Sequence, residues 1–203
     1  MDDPEYKIIT LGDVNVGKTS ILKKYVYKKF DNVKNTVGIN ILFQDIILEN
    51  KKTIKLKLFD TAGSEKYKSL SKQYFKNADG VLFVFSFDEP DSFSNIEQWI
   101  HLYNDTNSTG KLDIPKYLIG NKNDLEHLIR QEDIDKFLKE NKKFKYMSMS
   151  AKNDDNNIII ELFQDIGERI YKNQKDFKNK KGKSIKLSTF EEKKRGCLFT
   201  QCI

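Results

Sequence analysis

Short apolar runs and stretches of helix-spaced apolar positions take turns along residues 6–171. Residues 7–11 form a β-branched run, and after a glycine-bearing loop residues 20–27 carry helical spacing. Residues 39–48 and 53–59 read as strands joined through the polar stretch 49–52, the pattern of a hairpin. Residues 81–86 and 117–119 are continuous apolar runs, as expected of strands buried on both faces, and residues 145–149 are a last, more exposed strand. Apolar positions recur at helical spacing over 93–103, 132–140 and 158–170, with Ser92 placed to cap the first of these. About six strands, one adjacent pair antiparallel, alternate with helices. Such repeated strand–helix–strand units predict an α/β domain with a doubly wound, mostly parallel sheet, whose ligands bind at the carboxyl ends of the strands.

Beyond Tyr171 the periodicity gives way to lysine, and residues 172–203 are expected to be a flexible basic tail behind a domain of residues 1–171. From Tyr171 onward ten Lys and Arg stand against three Asp and Glu, a balance of +7. The chain as a whole carries +6, so the body before the tail is at −1. A nearly neutral body speaks against nucleic acid as a partner and for an electrostatic tether to an anionic membrane. With 38% hydrophobic and 33% charged residues in 203, the composition suits one soluble, globular domain plus a tail, and a monomer is expected. No apolar stretch approaches the about 20 residues that span a bilayer, and none follows a basic start as a secretory signal would. Both cysteines, Cys197 and Cys202, lie at the far end of the tail. That placement suits a reducing, cytoplasmic setting better than a disulfide framework.

The loop after the first strand reads Gly12-Asp13-Val14-Asn15-Val16-Gly17-Lys18-Thr19, a match to G-x-x-x-x-G-K-[ST]. Its glycines let backbone N–H groups turn onto phosphate oxygens, and the helix opening at Ser20 adds its positive end. Lys18 supplies a charge for the β- and γ-phosphates, and the Thr19 hydroxyl can ligate Mg²⁺. The motif specifies nucleotide phosphates and leaves the base open.

Downstream stand Asn121-Lys122-Asn123-Asp124 and Ser150-Ala151-Lys152, with Asp60-Thr61-Ala62-Gly63 between the first loop and these. In this order they resemble N-K-x-D, S-A-K and D-T-A-G of the Ras superfamily of small GTPases, over residues 6–171. The resemblance implies a phosphate-loop NTPase fold, a six-stranded mostly parallel sheet with one antiparallel strand and about five helices, and GTP or GDP with Mg²⁺ as ligands. By resemblance Asp124 accepts two hydrogen bonds from guanine, which adenine cannot offer, so the carboxylate selects by being left unsatisfied otherwise. Lys122 packs along the base, Asn121 braces the loops, the Ala151 N–H contacts guanine O6, and Phe30 covers the base edge. Thr36 would reach Mg²⁺ and the γ-phosphate, Asp60 would hold Mg²⁺ through water, and the Gly63 N–H would bond the γ-phosphate. Release of that phosphate would free both loops, the order-to-disorder switch of the superfamily.

Three segments look most like the Rab branch: Val37-Gly38-Ile39-Asn40-Ile41, Leu58 through Tyr67, and Tyr74-Phe75-Lys76-Asn77-Ala78. The resemblance implies a vesicle-trafficking switch with an exchange factor, an activating protein and effectors docking on switch I and II. An effector-facing triad would fall on Ile41, Phe59 and Tyr74. Rab-like tails receive geranylgeranyl groups on C-terminal cysteines. Although Gln201-Cys202-Ile203 is neither a CaaX box nor a cysteine pair, Cys202, with Cys197 as an acylation site, is the expected lipidation site; the alternative is an unmodified basic tail. The polybasic stretch would then be the second membrane signal, on the cytosolic face of an endomembrane or the plasma membrane.

Two positions depart from the pattern. Ser64 stands where the superfamily has the glutamine that orients the attacking water, and Val14 stands where relatives carry Gly, Ser or Ala. Both act against hydrolysis rather than binding, so the expectation is a normally loading but slow GTPase. The alternatives are a hydrolysis-deficient, GTP-held binding module, a Ras- or Rho-type signalling GTPase, and an ATP-dependent phosphate-loop kinase.

Overall fold

The computed structural model describes residues 3–30, 36, 38–63, 73–107, 114–154 and 156–196, the last stretch with side chains to Phe177. Ser64, Cys197 and Cys202 lie outside the described residues.

The strands are β1 (Glu5–Leu11), β2 (Ile39–Ile47), β3 (Thr53–Thr61), β4 (Gly80–Ser86), β5 (Lys116–Asn121) and β6 (Phe144–Ser148). They form one sheet in the order β2-β3-β1-β4-β5-β6. Only the β2–β3 pair is antiparallel, with Ile41 opposite Phe59; the others are parallel. Polar residues 49–52 make the hairpin: the Leu48 N–H donates to Lys52 O, and Lys51 takes a left-handed φ of 63°. The central strand β4 is buried at every position, while the edge strand β2 alternates, as sheet position dictates.

Among the described residues the main helices are α1 (Lys18–Tyr27), α2 (Pro90–Ser94), α3 (Ile96–Thr106), α4 (Gln131–Glu140) and α5 (Asn156–Gly196). On one face Phe83, Phe85 and Leu118 pack with Trp99 and Tyr103 of α3 and with Ile134 and Phe137 of α4. On the other, Tyr25 of α1 stacks on Phe163 of α5 with ring centroids 3.9 Å apart, and Gly80 gives room to Ile166.

One sequence expectation changes. Ser92 does not cap a helix over 93–103. Pro90, whose fixed φ suits a first helical position, starts α2 before it, and Asn95 separates α2 from α3. Ser92 lies inside α2, where its hydroxyl donates to Glu89 O at 2.6 Å and accepts the Ser86 N–H at 2.9 Å. It secures the end of β4 instead. The backbone is helical from Tyr171 to Gly196, within the stretch expected to be a flexible basic tail. Lys, Glu and Gln are straight-chain residues with good helix propensity, and no proline follows Pro115. The chain divides into compact units of Met1–Ile170 and Tyr171–Ile203. Among the described residues no helix is long and apolar enough to cross a membrane.

Candidate functional site

The site gathers at the carboxyl ends of β1, β3 and β5, where a doubly wound sheet opens its crevice. β1 ends at Leu11, and the loop 12–17 turns directly into α1. Asn15 takes a left-handed φ of 63°, a conformation asparagine tolerates better than most side chains. Gly17 stands at φ 97°, and a Cβ there would lie 2.0 Å from Asn121 Nδ2, so only glycine lets the two loops meet.

Lys18, in the first turn of α1, is buried and reaches back over its own loop. Its Nζ donates to Gly12 O at 2.9 Å and to Asp13 O at 2.6 Å. Burial lowers its pKa from 10.5 to about 8, against the opposing charges of Asp60 and Asp13. An amine so destabilised as a cation is well placed to gain from an incoming anion.

Beside it three oxygen donors converge. The Thr19 and Thr36 hydroxyls are 2.7 Å apart, Thr19 donates to Asp60 Oδ1 at 3.0 Å, and Thr36 reaches Asp60 Oδ2 at 3.5 Å. Burial raises the Asp60 pKa, opposed by the Thr19 hydroxyl and the Lys18 charge. Hydroxyls and a carboxylate form a hard donor set that fits Mg²⁺ with retained waters. Among the described residues there is no cluster of three His, Cys, Asp or Glu side chains that could hold a metal ion. Gly63 completes this corner: a Cβ on it would meet Asp13 O and Val14 N, both at 2.4 Å, so β3's exit presses against the first loop.

Asn121 joins the other loops. Its Nδ2 donates to Val16 O at 2.8 Å and its Oδ1 accepts the Ala151 N–H at 3.0 Å. The Ala151 N–H, expected to meet a guanine O6, is thus directed at Asn121, because the Ser150-capped turn draws it to the end of β5. That cap is the Ser150 hydroxyl, which accepts the N–H groups of Lys152 at 3.2 Å and Asn153 at 2.9 Å. Lys122, at φ 59°, pairs with Asp88 at 3.3 Å, and Asp124 beside it is exposed. Partial burial works against the Asp88 charge, but the Ser86 hydroxyl and Lys122 hold its pKa below the usual range. Ser20 is half-buried in the first turn of α1, Lys152 is exposed, and Phe30 is exposed beyond the end of α1.

Ile41 and Tyr74 are exposed, as an effector surface requires, but Phe59 between them is only 5% exposed. Lys7 Nζ sits 4.5 Å over its ring, and the Tyr74 ring is 6.4 Å away. Phe59 therefore supports that surface from below. Three contributors are not evident from motifs. Asp88 anchors Lys122, while Asn95 and Trp99 bind the side chain of Asp13. A lone carboxylate within the phosphate loop was the available hint for the last two.

Comparison with known proteins agrees with this geometry. A sequence model of the Ras family matches residues 7–172. The chain is similar to Ras-related protein Rab-7b of Mus musculus, 34% identical over 196 residues that cover 95% of this chain and 96% of that one. It is 33% identical to Ras-related protein SEC4 of Saccharomyces cerevisiae, covering 85% of this chain and 80% of the relative. GTP-binding protein YPT52 of the same yeast is 32% identical, covering 85% and 84%. The chain belongs to the Ras family, as a Rab-like small GTPase.

Proposed function

We propose that this protein is a Rab-type switch of vesicle traffic, which binds GTP or GDP with Mg²⁺ and recruits effectors while GTP is bound. The observation that carries this is the meeting of the Thr19, Thr36 and Asp60 oxygens beside the buried Lys18 at the start of α1. An oxygen-only donor set beside a cation and a helix N-terminus suits a metal–phosphate pair. Lys18 exchanges the Gly12 and Asp13 carbonyls for phosphate oxygens, and the amides of residues 15–20 hold the rest. Bound Mg²⁺ would neutralise phosphate charge. Thr19 and Thr36 would hold it directly and Asp60 through water. Asp124 selects guanine, Lys122 flanks the base under the restraint of Asp88, and Asn121 keeps the base loop and the phosphate loop in one frame. Effectors meet Ile41 and Tyr74 over Phe59. The protein acts as a monomer at the cytosolic face of a membrane, held there by the lysine-rich tail and by lipid on Cys202, with Cys197 as a second site.

Hydrolysis in this protein is slow. Val14 is 38% exposed on the phosphate loop, directly beside Gly63. A β-branched side chain there crowds an attacking water and an arginine finger, and Ser64 is too short to replace the family's glutamine. Glutamine and arginine finger together are worth about 10⁵ in rate in the best-known members. Single-turnover GTP hydrolysis tests this. Turnover by the unaltered protein should rise at least about tenfold when Ser64→Gln and Val14→Gly are combined. Rapid turnover without substitution would contradict slow hydrolysis while leaving nucleotide binding intact.

A further inference from the structure

An aspartate inside a loop that holds phosphates opposes its own ligand. Asp13 lies between Gly12 and Val14, and its negative charge disfavours a nearby polyanion most strongly where water is partly excluded. The geometry removes the conflict. The Asp13 side chain is directed at the α2–α3 junction, where Asn95 Nδ2 donates to Oδ2 at 2.7 Å and Trp99 Nε1 donates to Oδ1 at 2.8 Å. Hydrogen bonds to an ionised acceptor are short and strong, so each carboxylate oxygen is fixed by a donor that cannot itself accept in return. The donors are held in turn. Gln98 Nε2 donates to Asn95 Oδ1 at 3.1 Å, which leaves the Asn95 amino group to face Asp13. Trp99 is 2% exposed in the core beneath α3, so its indole N–H is fixed in place by packing. The Asp13 backbone carbonyl accepts the Lys18 Nζ at 2.6 Å and lies against Gly63. A swing of this one carboxylate would therefore bring its charge toward Lys18 and Gly63.

We propose that Asn95 and Trp99 are positioning residues for nucleotide binding, which hold the Asp13 carboxylate to α3 so that the loop offers phosphate only its amides and Lys18. The inference rests on the loop being the phosphate site of a guanine nucleotide. It separates from a merely structural role because a freed carboxylate repels ligands in proportion to their charge, is screened by salt, and loses its effect once neutralised.

The test measures Mg²⁺-dependent binding of GTP, GDP and GMP to the full chain, to Asn95→Ala, to Trp99→Phe, and to each combined with Asp13→Asn. Trp99→Phe deletes the donor while keeping most of the ring volume, and serves if Asn95→Ala does not fold. Either substitution should weaken GTP about tenfold, GDP less and GMP least, with the loss shrinking as salt is raised. In the Asp13→Asn background the same substitution should change GTP affinity by less than about twofold. Equal losses for the three nucleotides, insensitivity to salt, or a loss that persists with Asn at position 13 overturns the inference. No loss at all also overturns it. Failure of the unaltered chain to bind any guanine nucleotide overturns the nucleotide site itself, and this inference with it.

Discussion

Asn121→Ala removes two buried hydrogen bonds in one substitution. Asn121 is 1% exposed, its Nδ2 donates to Val16 O at 2.8 Å, and its Oδ1 accepts the Ala151 N–H at 3.0 Å. Alanine leaves the carbonyl and the N–H without this partner and opens a gap over Gly17, which packs against the lost amide. Two net hydrogen bonds of about 1 kcal/mol each, plus about 1–3 kcal/mol for a buried group left unsatisfied, give at least about 3 kcal/mol. That is about a hundredfold in an equilibrium constant. Because the two bonds join the phosphate loop to the base loops, the loss should divide between fold stability and nucleotide retention. The assay is release of a fluorescent GDP into excess unlabelled nucleotide, alongside a denaturant titration of the same samples. Release should quicken by at least tenfold, and the rest of the about 3 kcal/mol should appear in the unfolding midpoint. Release within about threefold of the unaltered protein together with an unchanged midpoint would refute the bridging role.

Phe163→Ala removes a ring that is fully buried and stacked 3.9 Å from Tyr25, and should cost about 3–5 kcal/mol in denaturant unfolding. A loss below about 1 kcal/mol would mean that α1 and α5 do not depend on this contact. Burial raises the Tyr103 pKa, with help from Asp79, from 10.0 to about 12, and raises those of Tyr25 and Tyr117 further. Above pH 10 the unfolded chain therefore gives up protons that the folded chain keeps, so stability is full below that pH and falls as it rises. Alkaline titration followed by phenolate absorbance should show tyrosines that ionise only as the fold is lost. Ionisation of all tyrosines near their ordinary pKa in folded protein would contradict their burial.

The strand pattern and the loops were legible because each rests on a local signal. Runs such as Val81–Phe85 suit a strand covered on both faces, as in the middle of a parallel sheet, and a glycine-lysine loop between strand and helix has few other uses. The corrections share a different cause. Asn95 and Trp99 meet Asp13 across 82 and 86 positions, a pairing that exists only after the sheet brings β1 and α3 together. Ser92 resembles a cap in isolation, yet Pro90 starts the helix earlier and the serine is taken up by the end of β4. Phe59 occupies the register position of an exposed aromatic, but the Lys7 side chain lies across it. In each case a side chain took the nearest tertiary partner over the one its neighbours in sequence suggested.

Competition between nucleotides tests the central claim most directly. With Mg²⁺ present, unlabelled GTP and GDP should displace a bound fluorescent guanine nucleotide from the purified chain, while ATP at the same concentration should not. Displacement by ATP equal to that by GTP, or no binding of the labelled nucleotide at all, would contradict a site in which Asp124 selects the base and the loop at Lys18 grips its phosphates.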